Sequence, residues 1–111
     1  MFEYRALITK VVDGDTVHAE IDLGFNVTIA ATLRLLGINT PERGQPGAIE
    51  ATEWLRSKTL NVTVRCLTIK DRREKYGRYL AKLYLPGEDS SVNEQLLAAG
   101  HAVEYRGATP H

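Results

Sequence analysis

The chain has 111 residues, with 14 Lys and Arg against 14 Asp and Glu, a formal net charge of zero, and 43% hydrophobic and 25% charged residues. That length suits one domain spanning residues 1–111, large enough to bury a core without disulfide staples. The composition excludes collagen, coiled coil and disorder, and the zero net charge excludes binding to nucleic acid by overall basicity, leaving only local clustering for that purpose.

Cys66 is the only cysteine, so it makes no internal disulfide, and on an apolar strand it reads as a small core residue. The N-terminus, MFEYRALITKV, carries no export signal. No segment approaches the roughly 20 apolar residues of a membrane span. The chain as given is therefore expected to be cytoplasmic, off the membrane and monomeric.

Phe2 to Val12 alternates apolar and polar residues, with Phe2, Tyr4, Ala6 and Ile8 on one face, and predicts a first strand. Asp13-Gly14-Asp15 signals a turn, and Thr16 to Ile21 resumes the alternation as the second arm of a hairpin. Asp22 to Asn26 is the next predicted turn, and Val27 to Leu36 a third strand that becomes apolar on both faces. Asp15 is expected to approach the far end of that strand through strong curling of the sheet, as in a small barrel.

Gly37, Asn39 and Pro41 break the third strand, so Glu42 falls on a loop. Ala48 to Leu60 has the helical period, with Ile49, Ala51, Trp54, Leu55 and Leu60 near one stripe, and predicts a helix plugging the barrel. Asn61 to Ile69 returns to strand, with Val62, Val64 and Cys66 on one face. Lys70 to Arg78 (KDRREKYGR) reads as a charged loop, and Tyr79 to Leu85 as a fifth strand. Ser91 and Glu94 have capping-box spacing ahead of a second helix that ends at Gly100. The order β-β-β-α-β-β predicts an α+β, mainly β chain: a five-stranded oligonucleotide/oligosaccharide-binding (OB) barrel with a second, C-terminal helix.

Three clusters carry candidate chemistry. Asp13 and Asp15 are read either as ordinary turn residues or as acidic ligands. Arg34 interrupts the apolar run of Leu33, Leu35 and Leu36, and must reach solvent or meet an anion. It lies close in sequence to Asn39, Thr40 and Glu42. The third cluster is the charged segment from Lys70 to Arg78. His18, His101 and His111 lack metal-ligand spacing, and Trp54 reads as a helix-core residue.

Together, VDGDT in the first hairpin, RLLGINTPE closing the third strand and KYGR before the fifth resemble the staphylococcal nuclease family, in that order and at family-like separations. The segment VNEQLLAAG is similar to the family's second helix, so the resemblance runs from Leu7 to Tyr105. It implies a calcium-dependent phosphodiesterase that hydrolyses single-stranded DNA or RNA to 3′-phosphate products. By the same resemblance Asp15, Asn39 and the Thr40 carbonyl hold Ca2+, with Asp13 supporting them. Glu42 orients or deprotonates the attacking water, and Arg34 and Arg78 grip the scissile phosphate. Lys75 and Tyr76 contact a neighbouring phosphate, and Tyr105 stacks on a base.

Elementary chemistry is consistent with such roles. Paired guanidiniums hold phosphate oxygens through planar forks of donors, and a hard cation on oxygen ligands polarises a phosphoryl oxygen. Two departures stand out. Asn39 occupies the place where the family usually has an aspartate, which removes one negative ligand charge and predicts weakened calcium binding. The sequence stops at Gly-Ala-Thr-Pro-His where the family's type member continues into a third helix, so it reads as a minimal or a trimmed version. The alternative function is a catalytically impaired OB module binding single-stranded nucleic acid or a protein ligand. A structural oligosaccharide- or protein-binding barrel is a third possibility.

Overall fold

A computed structural model of the protein describes residues 2–73 and 78–105, and the side chains of residues 70–73 are outside the description. The described elements are β1 (Phe2–Asp13), β2 (Thr16–Gly24), β3 (Val27–Leu35), β4 (Ile38–Asn39), α1 (Ala48–Thr59), β5 (Thr63–Arg73), β6 (Tyr79–Tyr84), α2 (Val92–Ala98) and β7 (Val103–Glu104). Five strands close into a barrel in the order β1-β2-β3-β6-β5. The expected OB-type barrel with two helices is therefore present.

Strand alternation explains the core. Ala6 and Ile8 of β1, Val17, Ala19 and Ile21 of β2, Leu33 and Leu35 of β3, Val64 and Cys66 of β5, and Ala81 and Leu83 of β6 point inward and are buried. Ile8 and Val11 are both inside although three apart, because a register shift between Ile8 and Lys10 inserts one residue. The β1–β2, β2–β3, β1–β5 and β5–β6 pairs are antiparallel. Closure comes from a short parallel contact in which Leu33, Arg34 and Leu35 face Tyr79, Leu80 and Ala81. Cys66 lies wholly inside, where burial pushes its thiol up to about 12 and makes it an inert core group.

Several boundaries differ from the expectation. β2 continues to Gly24, and the turn contracts to Phe25 and Asn26, both with positive φ (55° and 60°). Two such residues form the primed type of turn whose twist matches that of the flanking strands. β5 runs on to Arg73, inside the segment read as a charged loop, and Arg73 pairs with Tyr79. The periodicity of α1 buries Ala48, Ala51, Leu55 and Thr59, whereas Ile49 is 75% exposed, rotated off the stripe beside Ala48. Trp54 is half-buried against the core, as expected. The pairing of β4 with β7 is new: Ile38 faces Glu104, and Asn39 faces Val103.

α2 begins with the expected capping box of Ser91 and Glu94. Its second residue, Asn93, is 97% buried and binds three backbone groups. Its Oδ1 accepts from Leu83 N (3.2 Å), and its Nδ2 donates to the carbonyls of Leu36 (2.9 Å) and Ala81 (3.1 Å). One amide thus joins α2 to β6 and to the chain leaving β3. Asn93→Leu keeps the volume but orphans the buried Leu83 N–H, and is expected to lower the unfolding free energy by about 2–3 kcal/mol in urea titration.

Candidate active site

The site is built on the turn between β1 and β2. The side chain of Asp13 caps that turn, its Oδ1 accepting from Asp15 N at 3.0 Å. Asp15 follows and is buried. It meets the end of β3 without any special curling, because antiparallel pairing sets the first residue of β2, Thr16, opposite Arg34. Asp15 O also accepts from Leu35 N at 2.8 Å. Hairpin register, rather than the barrel curvature expected from the sequence, brings these groups together.

The Asp15 carboxylate collects donors from three segments. Oδ1 accepts from Thr16 Oγ1 (3.1 Å), and Oδ2 accepts from both the backbone N and the Oγ1 of Thr40 (3.1 Å each). Arg34 Nη2 lies 3.4 Å from Oδ2 in an ion pair whose side chains are both 10% exposed. Arg34 therefore meets an anion within the protein, as a cation on an apolar strand requires. Its Nη1 donates to Leu35 O at 2.7 Å and its Nη2 to Asn39 Oδ1 at 3.1 Å. The Tyr105 ring centroid is 5.8 Å from Arg34 Cζ, and Tyr105 is held there by its N–H bond to Gly37 O (2.9 Å) beside the β4–β7 pair.

Arg78 approaches the same place from the start of β6. Its Nη1 is 3.5 Å from Thr16 Oγ1, so Thr16 lies between Arg78 and the Asp15 carboxylate. Glu42 is on the loop between β4 and α1 with its side chain exposed to solvent. Lys75 and Tyr76 fall outside the described residues. The structure thus gathers Asp15, Arg34, Asn39, Thr40, Arg78 and Tyr105 around one end of the β2–β3 hairpin, with Glu42 on the loop two residues beyond Thr40.

Burial alone would raise the Asp15 carboxyl, but the Asp13 side chain, the Arg34 charge and the two Thr40 bonds together hold it below the ordinary carboxylate range. Asp13 moves the other way, pushed up by burial and by the neighbouring Asp15. The turn divides its acidity between the two aspartates.

Two residues that matter here were not singled out by sequence reasoning. From sequence Thr16 reads only as a strand residue, although in the fold its hydroxyl links Arg78 to the Asp15 carboxylate. Gly14 reads as a turn former, yet what it supplies is space. A Cβ there would sit 2.7 Å from Thr40 Oγ1 and 2.8 Å from Ala51 Cβ, so only glycine lets Thr40 and α1 close onto the turn.

Among the described residues, no three His, Cys, Asp or Glu side chains cluster in a way that could hold a metal. Any cation at this site would depend on mixed oxygens. Asp15 Oδ1 takes a single hydrogen bond, Asn39 Oδ1 takes one from Arg34, and Thr40 offers its backbone carbonyl. These are hard donors of the kind that Ca2+ accepts, so their chemistry fits such an ion, with one formal negative charge among them.

The family profile described as "Staphylococcal nuclease homologue" matches residues 32–111. The chain belongs to the staphylococcal nuclease family. A thermonuclease of Staphylococcus hyicus is 32% identical over 101 residues, covering 86% of this chain and 56% of that protein. An uncharacterized endonuclease of Escherichia coli O157:H7 is 30% identical over 98 residues, covering 88% and 59%. A prophage-derived endonuclease of Bacillus subtilis is 35% identical over 102 residues, covering 86% and 32%. The chain spans less than two thirds of the length of each of these relatives. Among the described residues, no helix is long and apolar enough to cross a membrane.

The raised pKa of Asp13 has a stability consequence. A carboxyl whose folded pKa exceeds its unfolded value destabilises the fold above that range and contributes nothing below the unfolded value. Asp13→Asn can keep an oxygen acceptor for Asp15 N while removing the charge. Its melting temperature is expected to exceed the parent's at pH 7 and to match it at pH 3, measured by thermal unfolding in metal-free buffer.

Proposed function

We propose that this chain is a metal-dependent nuclease that hydrolyses phosphodiester bonds of single-stranded DNA or RNA. The observation that carries the reading is the convergence of two arginines, Arg34 and Arg78, on the rung formed by Thr16 and Arg34, beside a buried carboxylate and beneath an exposed tyrosine. The names of the relatives support the same reading. A guanidinium has five N–H donors, and the internal partners of Arg34 engage only some of them, so others are available to phosphate oxygens. Arg78 supplies a second planar fork.

In this reading the arginines bind the scissile phosphate and stabilise the charge that grows on its equatorial oxygens. Glu42 accepts a proton from the attacking water as the water oxygen bonds to phosphorus. The bond to the 5′ oxygen breaks, leaving a 3′-phosphate and, once protonated, a 5′-hydroxyl. Asp15, Asn39 and the Thr40 carbonyl would hold Ca2+, which when bound polarises a phosphoryl oxygen and lowers the pKa of bound water. Tyr105 offers a stacking face for a base, and the open surface suits single strands. Lys75 and Tyr76 are assigned a neighbouring phosphate by the family resemblance alone.

The neutral Asn39, bonded to Arg34, favours one second reading: a module that binds single strands without cleaving them. One assay separates the two. Heat-denatured DNA incubated with the protein and millimolar calcium is expected to be cleaved, with cleavage abolished by chelator. Glu42→Gln and Arg78→Ala should each lower the rate by about a hundredfold or more. Asn39→Asp should reach half-maximal rate at lower calcium. Binding without cleavage would favour the second reading, and cleavage that survives both substitutions and chelator would refute the site.

A further inference from the structure

A shallow groove of about 670 Å³ runs along the outer side of the β2–β3 hairpin, starting next to the site. Thr9, His18, Thr32, Ala30, Glu20 and Tyr79 line it. None of these residues belongs to the site described above. We propose that this groove is a subsite for the nucleotide adjoining the scissile phosphate, with His18 and Thr32 holding its phosphate. The proposal rests on the nuclease reading and extends the same site.

The argument begins with register. Leu33 and Leu35 face the core, so Arg34, Thr32 and Ala30 of β3 face outward, and across the hairpin they pair with Thr16, His18 and Glu20. The outer face is therefore a ladder of three rungs: Thr16–Arg34, His18–Thr32 and Glu20–Ala30. Successive rungs are two residues apart, about 6.6–6.8 Å, a spacing comparable with that of phosphates along an extended single strand. A phosphate on the Arg34 rung places its neighbour on the His18–Thr32 rung.

The chemistry of that second rung suits an anion. His18 and Thr32 are both half-buried and bring an imidazole N–H and a hydroxyl, each a donor to phosphate oxygen. Thr9 Oγ1 donates to His18 O at 3.3 Å, pinning the backbone beneath the imidazole. On the far side of the groove β6 pairs with β3 only from Leu33 to Leu35, so among the described residues the edge at Ala30 to Thr32 is bordered by the half-buried Tyr79 instead of a strand. Tyr79 is level with Leu33 and packs against the core, so the groove offers its donors to phosphate rather than an aromatic face to a base.

The third rung limits the track. Glu20 is exposed at the far end of the groove, and its carboxylate repels a further phosphate. Tyr105 lies over Arg34 at the other end, beside β4. A bound strand would therefore pass Tyr105, cross Arg34 and Arg78, and place one more phosphate on His18 and Thr32.

The test uses fluorescently labelled octathymidylate, with bis(p-nitrophenyl) phosphate as a substrate too small to occupy both rungs. The double variant His18→Ala, Thr32→Val is expected to raise KM for the octamer roughly tenfold with kcat nearly unchanged, and to leave turnover of the small ester unchanged. His18→Lys should lower KM for the octamer and steepen its salt dependence. Unchanged octamer KM in both variants, or an equal loss on both substrates, would overturn the subsite. Fluorescence anisotropy of the same octamer runs in parallel. If the parent binds it without cleaving it, the nuclease reading fails, while a tenfold rise in Kd for the double variant still supports the groove and an unchanged Kd overturns it. If the parent neither binds nor cleaves, both fall.

Discussion

The carboxylate of Asp15 is the constraint on which the site depends. A buried carboxylate survives only when its charge is met and its lone pairs are filled, and here the donors come from β2, β3 and the segment after β4. In the nuclease reading each of those donors also serves the substrate or the metal. Arg34 is fixed with part of its guanidinium available, Thr40 is drawn over the turn, and Thr16 is oriented toward Arg78. A constellation of side chains near loops is usually loose, and this one is anchored by a single group that the fold cannot leave unpartnered.

The surrounding structure keeps that anchor in place. Gly14 has no side chain because Thr40 and Ala51 occupy the space where one would go, so the turn, the metal-candidate segment and α1 are in direct contact. The parallel contact of β3 with β6 is only three residues long, yet it places Arg78 at the level of Thr16 and closes the barrel. Asn93 secures that closure from behind by bonding to both β6 and the residue that follows β3. Electrostatics then separates the two aspartates of the turn. Asp15 is shifted below the ordinary carboxylate range and Asp13 above it, so the two acids of one turn lose their protons at separate stages.

Much of this was legible in the sequence because it followed from period and punctuation. Alternation placed Ala6, Ile8, Val64 and Cys66 in the core, and the spacing of Ser91 and Glu94 marked the start of α2. Arg34 could be recognised as needing either solvent or an anion, since a cation on an apolar strand requires one of the two. What could not be read were contacts set by tertiary register. The partner of Arg34 lies 19 residues upstream, the pairing of Ile38 with Glu104 joins two-residue strands without a periodic signal, and the roles of Gly14 and Asn93 depend on neighbours far away in the chain. The continuation of β5 to Arg73 was hidden because the run Lys70 to Arg73 is wholly charged and shows no apolar alternation. Ile49 was misplaced because helical spacing alone does not decide between adjacent residues at the edge of a stripe.

The nuclease reading needs Arg34 to be positioned before substrate arrives, which makes the coupling between Asp15 and Arg34 the claim to measure. A double-mutant cycle with Asp15→Asn and Arg34→Met, followed by urea unfolding without metal, isolates that coupling from the separate roles of the two residues. Each single variant should be destabilised by about 3 kcal/mol, because each leaves a buried group without its partner, and the double variant by clearly less than their sum, with a coupling energy of about 2 kcal/mol. Additive losses would contradict the account, since they would mean that the carboxylate does not hold the arginine in place.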